Sequence, residues 1–152
     1  MMGEWALQVG MALAGAVGFG LLFRVPAGKL AAIAVGGALD WVAYLAAFAW
    51  HGDRVMAFFA AALATAVLAE LFARMIKTPV ITLLVPMLVP LVPGGDLYYT
   101  TLALVQGDMA AFAQYGGLVV KEAGAISFGI ILVACAVQTV LRAAAVIRNK
   151  RA

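Results

Sequence analysis

Apolar residues fill long runs of this chain, and short polar or proline-containing stretches separate one run from the next. Each run has at least the length of about 20 residues that an α-helix needs to cross a bilayer. No run carries more than two charged residues. The pattern predicts an all-α, polytopic membrane protein, with residues 1–152 forming a single transmembrane domain of about five helices. The approximate spans are 5–23, 30–50, 55–76, 79–105 and 116–141.

The composition supports a membrane protein. Hydrophobic residues make up 66% of the chain and charged residues only 11%, which leaves a soluble protein too little polar surface. The net charge of +3 comes from basic residues at the ends of the apolar runs, where they form no patch. We therefore expect no nucleic-acid partner and interpret these residues as signals of membrane topology.

The distribution of basic residues predicts an orientation, because cytoplasmic loops carry an excess of Lys and Arg. Five crossings with the N-terminus outside and the C-terminus in the cytoplasm place eight of the ten basic residues on one side. These eight are Arg24, Lys29, Arg74, Lys77, Arg142, Arg148, Lys150 and Arg151. A fourth segment that re-entered the membrane without crossing would put the basic tail outside.

The fourth run is unusually rich in proline. Residues 78–95 read TPVITLLVPMLVPLVPGG, and the spacing of the four prolines places them on one face of a helix. Each proline inside a helix frees a carbonyl about four residues earlier, and lipid offers such a carbonyl no partner. This face must therefore look into protein or a water-filled cavity.

We interpret this run as a discontinuous helix, the element with which secondary transporters hold small ions and substrates. The alternative is a continuous helix that the prolines merely kink. The candidate substrate-binding residues are those at the expected break and the acid nearest mid-membrane: Asp40, Pro86, Val89, Pro90, Pro93, Gly94 and Gly95.

Three acidic residues at membrane depth, Asp40, Glu70 and Glu122, are candidates for proton coupling. Asp40 lies near the middle of the second span, where a charge costs at least about 2.5 kcal/mol and needs a partner, a wet cavity or a proton. The alternative is a neutral acid that pins two helices together. Glu70 and Arg74 have the spacing of a surface ion pair. Glu122 could meet Asp40 or the broken helix, and the adjacent Lys121 could reach the outer interface.

Histidine and cysteine are too scarce to suggest catalysis. The chain has one histidine, His51, in a short loop, and one cysteine, Cys135, in an apolar run. Neither can form a metal site of the usual ligand spacing alone, and no nucleophile and base stand together in the pattern. We therefore expect no enzyme activity, no cofactor and no metal.

Two stretches carry a resemblance to a known family. KTPVITLLVPMLVPLVPGGDLYYT, residues 77–100, resembles the proline-rich signature of the threonine/serine exporter family, and AVGFGLLFRVPAGKLAAIAVGGALDWVAY, residues 16–44, is similar to its first two helices. The match is to the short form that corresponds to the C-terminal half of the full-length exporter. The pair Lys121 and Glu122 is not part of the family pattern that the chain resembles.

The resemblance implies a bacterial inner-membrane subunit that exports threonine and serine, or in the split form succinate, with a larger companion subunit. An odd number of spans would insert two tandem halves in opposite orientations, a common transporter plan with the site between the halves. The competing hypothesis is a non-transporting assembly subunit, because Gly10, Ala14 and Gly18 form a small-residue stripe typical of helix contacts. A homo-oligomer is also possible.

Overall fold

The computed structural model describes residues 2–149, with side chains for residues 3–143. The described chain is almost entirely helical and confirms the all-α prediction. A short 3-10 turn, Val89–Leu91, interrupts the helices. The helices are α1 Met2–Leu22, α2 Ala27–His51, α3 Arg54–Met75, α4 Val80–Leu88, α5 Gly94–Gln106 and α6 Met109–Asn149. Of the basic tail, the side chains of Arg148, Lys150 and Arg151 lie outside the described residues.

Four helices of the described chain, α1, α2, α3 and α6, are each long and apolar enough to cross a membrane. The segments Val80–Leu91 and Gly94–Gln106 pass the same test only together, and they meet at an angle of 60°. They form a fifth crossing if the bent pair is one span. The expected count of about five and the expected break in the fourth span are confirmed.

The α1–α2 and α3–α4 connections use the same turn. Two residues after the end of each helix, a basic residue adopts the left-handed conformation, Arg24 with φ 56° and Lys77 with φ 49°. A buried residue and a proline follow. The amide of that buried residue donates back to the helix, from Val25 to Gly20 and from Thr78 to Ala73, at 2.9 Å in both turns. This is the bond that closes a helix end in a Schellman motif.

A side-chain hydrogen bond joins the two turns. The Lys29 Nζ donates to the Thr78 Oγ1, so both turns lie at one end of the bundle, which we call the basic end. The hairpins α1–α2 and α3–α4 therefore run in parallel. Together they pack as a four-helix bundle in which α2 contacts both α1 and α3, and α4 lies across α1, α2 and α3.

Small residues let the helices approach closely, but not the ones the sequence suggested. The face of α1 that is buried carries Ala12, Ala16 and Gly20. The expected stripe of Gly10, Ala14 and Gly18 is exposed within this chain. The two sets share the same four-residue spacing and lie two positions apart on the helix.

Gly37 marks the close approach of α2 to α1. A Cβ at Gly37 would collide with the Cβ of Ala16, which is fixed on α1, whereas a Cβ at Gly18 would meet nothing within 4 Å. We expect Gly37→Ala to destabilise the bundle by about 1–3 kcal/mol because the two helices must separate. Gly18→Ala, the matched control, should be neutral or slightly stabilising through helix propensity. Unfolding of both variants in detergent checks this, and equal stability of the two would contradict the packing.

The helix α6 runs parallel to α3 and is longer than α3. The Glu122 carboxylate meets Arg54 at the start of α3, and the rings of Phe59 and Phe128 are 5.9 Å apart further along. The residues of α6 before Glu122 pack on α5, where the rings of Tyr99 and Tyr115 are 5.3 Å apart. We call residues 94–121 the α5–α6 hairpin; it projects from the bundle at the end opposite the basic turns.

The helix α6 begins before the last predicted span. It is continuous from Met109, whereas the predicted span begins at residue 116. The Asp108 side chain caps it by accepting from the amides of Ala110 at 3.1 Å and Ala111 at 3.0 Å. A 41-residue helix is about 60 Å long, twice the roughly 30 Å hydrocarbon core, so part of α6 must lie outside that core.

Candidate functional site

The break in the fourth span is a short stretch of non-helical backbone. After the 3-10 turn, Val92 is extended with φ −60° and ψ 124°, and Pro93 has φ −73° and ψ 57°. The helix resumes at Gly94, and both Gly94 and Gly95 are exposed. The break therefore lies within the proline-rich stretch, but Gly94 and Gly95 begin the next helix instead of interrupting it.

Three of the four prolines face protein at least in part, whereas Pro79, directly before α4, is exposed. Pro86 lies inside α4 and is fully buried, and Pro90 and Pro93 are half-buried. The carbonyl of Val89, which the sequence suggested would be free, accepts the Val92 amide at 3.1 Å. The 3-10 turn therefore satisfies that carbonyl in the conformation described.

The break lies at the end of the bundle away from the basic turns. Leu91, just before it, is buried in a cluster with Phe58, Ala61 and Ala62 of α3, and α3 begins nearby at Arg54. Pro90 also borders an open groove of about 350 Å³ lined by Leu7, Gln8, Met11, Ala12 and Trp41. One side of the break thus packs on the bundle, and the other side is open within this chain.

Asp40 is fully buried between α2 and α3. The Thr65 Oγ1 donates a hydrogen bond of 2.5 Å to its Oδ1, while its Oδ2 has no hydrogen-bond partner among the described residues. The predicted need for a partner is met by a residue that the sequence analysis did not single out. The sequence could have indicated Thr65, because it is the one polar residue between Arg54 and Glu70.

Three charged residues from three helices meet directly after the break; we call Arg54, Asp96 and Glu122 the Arg54 cluster. The Arg54 Nη2 lies 2.5 Å from the Asp96 Oδ2 and 3.0 Å from the Glu122 Oε1. The side chains are 44%, 9% and 0% exposed, respectively. Neither oxygen of Glu122 has a hydrogen-bond partner among the described residues, so its contact with Arg54 is one of charge only.

Tyr44 links the cluster to the rest of α2. Its phenol lies close enough to Arg54, Asp96 and Glu122 to interact with all three. Its ring packs on Trp41 and on Phe58, with centroids 4.9 Å apart in both pairs. Asp40 and Tyr44 lie one helical turn apart on α2, so the polar groups run from mid-helix Asp40 toward the Arg54 cluster.

The remaining candidates lie elsewhere. Glu70 accepts from the Arg74 Nη2 at 3.0 Å, four residues apart on α3, as the simpler interpretation of that pair predicted. Glu122 lies at the broken helix, one of its two expected positions, and Lys121 beside it is exposed. The sequence analysis did not single out Arg54 or Asp96 as site residues. In the sequence, Arg54 belongs to a short polar turn and Asp96 directly follows the expected break.

The described residues contain no group of three or more His, Cys, Asp or Glu side chains that could hold a metal ion. The carboxylates of the Arg54 cluster number two, and their shared partner is a guanidinium. The chemistry available at this site is therefore binding of charged groups and transfer of protons.

Comparison with known families gives one finding. The model of the family described as Threonine/Serine exporter, ThrE, matches residues 8–136. The match runs from α1 into α6 and contains Asp40, the break and the Arg54 cluster. Comparison with curated proteins gives no match, and comparison with solved structures gives none either.

Proposed function

Because the chain belongs to the threonine/serine exporter family, we propose that it is a membrane subunit of a secondary exporter of small polar metabolites. The family is one of transporters, and the apolar helices place the chain in a membrane as a multi-pass protein. The proposed cargo is a threonine- or serine-like amino acid, or a dicarboxylate such as succinate.

The observation that carries this proposal is the broken fourth span with charged groups immediately after it. Discontinuous helices bring backbone and side-chain polar groups together at membrane depth, where transporters bind their cargo. Here the break of Val92 and Pro93 is followed by Asp96, which pairs with Arg54. We propose that the cargo passes this break, with Pro86, Val89, Pro90, Pro93, Gly94 and Gly95 shaping its path.

We further propose that export is coupled to protons through Asp40. An ionisable residue inside a transmembrane bundle is expensive and commonly serves a proton or ion pathway. Asp40 has one oxygen held by Thr65 and the other without a hydrogen-bond partner in the described part of the chain. That second oxygen is available to gain and lose a proton without breaking the contact between α2 and α3.

A larger companion subunit is part of the proposal. The exposed Gly10, Ala14 and Gly18 face of α1 suits close contact with another transmembrane helix, and the groove beside Pro90 is open within this chain. We propose that the companion covers this side and completes the transport path. A second copy of this chain is the alternative occupant.

The proposed setting is the bacterial inner membrane, with the N-terminus outside and the C-terminus in the cytoplasm. Support comes from the two turns with Arg24, Lys29 and Lys77, which lie at one end of the bundle, as expected of a cytoplasmic face. In this orientation the Arg54 cluster lies toward the outer side.

Efflux from intact cells tests the function. Cells preloaded with labelled threonine or labelled succinate should lose one of them at least about tenfold more slowly when this chain is deleted and its companion retained, since a tenfold change corresponds to about 1.4 kcal/mol. Returning the chain should restore the rate. Liposomes that contain the companion alone provide the contrast: full transport without this chain would favour an assembly subunit over the proposed transport role.

A further inference from the structure

We propose that the Arg54 cluster binds both charged groups of a zwitterionic α-amino acid. The guanidinium of Arg54 takes the carboxylate, and the carboxylates of Asp96 and Glu122 take the ammonium group. This inference rests on the proposed export function and narrows it, because the same cluster disfavours a dicarboxylate.

Arg54 has donors to spare for a ligand. Both carboxylates contact a single atom, Nη2, at 2.5 Å and 3.0 Å, whereas a guanidinium carries five N–H donors in a planar fork. The side chain is 44% exposed, so the rest of the fork is accessible. A planar fork binds a carboxylate through two parallel hydrogen bonds, which a lysine ammonium does not reproduce.

Glu122 is a buried acceptor that lacks donors. Its side chain is 0% exposed, and neither oxygen has a hydrogen-bond partner within the described chain. Leaving such a group unsatisfied is costly, and a buried charge needs both a countercharge and hydrogen bonds. Arg54 already supplies the countercharge, and an ammonium group would bring three N–H donors, which this carboxylate lacks.

The charge balance selects the class of ligand. When both acids are ionised, the guanidinium and the two carboxylates together carry a net charge of −1. A zwitterion adds no net charge and places its positive end on the two acids. A dicarboxylate would bring two more negative charges to the same site, and charges of one sign at such distances repel strongly in a medium of low dielectric constant.

The location of the cluster suits a binding step in transport. Arg54 begins α3, Asp96 lies in the first turn of α5 after the break, and Glu122 lies in α6 where the α5–α6 hairpin leaves the bundle. A ligand that drew the two acids away from Arg54 would loosen the contact of α5 with α3. Binding at this point would therefore act on the break itself.

A competition assay with charge-deleted analogues tests the inference. Inside-out membrane vesicles from the native host take up labelled threonine, and unlabelled serine, threonine methyl ester, N-acetylthreonine and succinate compete. The ester lacks the carboxylate and the N-acetyl compound lacks the ammonium group. We expect serine to compete well, each charge-deleted analogue to be at least about tenfold weaker through loss of a charged hydrogen bond, and succinate not to compete.

Two variants assign each charge to its residue. Arg54→Lys keeps the positive charge but loses the fork, so the inhibition constant of serine should rise about tenfold while that of threonine methyl ester stays unchanged. Glu122→Gln should remove the advantage of serine over N-acetylthreonine. Each result is a ratio between two ligands in the same vesicles, so it does not depend on how much protein is active.

Arg74→Lys is the matched control, since Arg74 also contacts a glutamate oxygen through Nη2 at 3.0 Å; it should leave all ratios at the wild-type values. Competition by succinate as strong as that by serine, or variants that shift every competitor equally, would overturn the inference and leave the export function standing. Threonine uptake that persists in vesicles lacking this chain would instead remove the proposed function, and the inference with it.

Discussion

Replacing Arg54 by glutamine is expected to destabilise the folded chain by about 3 kcal/mol, because it leaves a buried acid without its countercharge. Glu122 is 0% exposed, and its carboxylate lies 3.0 Å from the Arg54 guanidinium. The same substitution also frees Asp96, which holds α5 to α3. Reversible unfolding in mixed detergent micelles measures the change.

The double variant Arg54→Gln with Glu122→Gln separates a lost countercharge from a lost contact. It removes the charges of Arg54 and Glu122, so the part of the lost stability that comes from unpaired Glu122 should return, as it does when a buried ion pair is replaced as a unit. The part that comes from Asp96 should remain. Arg74→Gln provides the control, because that exposed pair on α3 should contribute only about 0–1 kcal/mol. A double variant no more stable than Arg54→Gln alone would show that Glu122 is not the source of the loss.

The sequence predicts the helices and the break because both follow from local chemistry. About 20 apolar residues suffice to predict a crossing, and a run of closely spaced prolines predicts a weakened helix because each proline lacks an amide donor. Pro86 is tolerated inside α4, and the break falls at Val92 and Pro93. The turns at Arg24 and Lys77 share a local sequence pattern as well, a basic residue two positions before a proline.

The sequence does not predict which residues form the contacts between helices. Gly10 and Ala12 begin two small-residue stripes of identical spacing, and nothing in a helix that is apolar all round tells which stripe faces a neighbour. The sequence also does not predict which charged residues come together at the site. Glu70 and Glu122 each have a basic residue close in sequence, yet only the packing of α3, α5 and α6 buries Glu122 beside Arg54.

Asp40→Asn is expected to lower threonine export at least about tenfold while changing stability by less than about 1 kcal/mol. Asparagine is nearly the same size and keeps a carbonyl oxygen that can accept the Thr65 hydroxyl, which now donates at 2.5 Å. It removes the one property that proton coupling requires, a group that gains and loses a proton. Efflux of labelled threonine and unfolding in detergent are measured on the same preparations.

Thr65→Val tests whether Asp40 carries a proton or only stabilises the contact between α2 and α3. Valine matches the shape of threonine but cannot donate, so it breaks the α2–α3 hydrogen bond and leaves the carboxyl group in place. If Asp40 carries the proton, Thr65→Val should lose stability by about 1–3 kcal/mol, the penalty of an unsatisfied buried acceptor, and retain most transport. If Asp40 only pins the helices, the order reverses: Thr65→Val should impair export at least as much as Asp40→Asn, because it alone removes the bond.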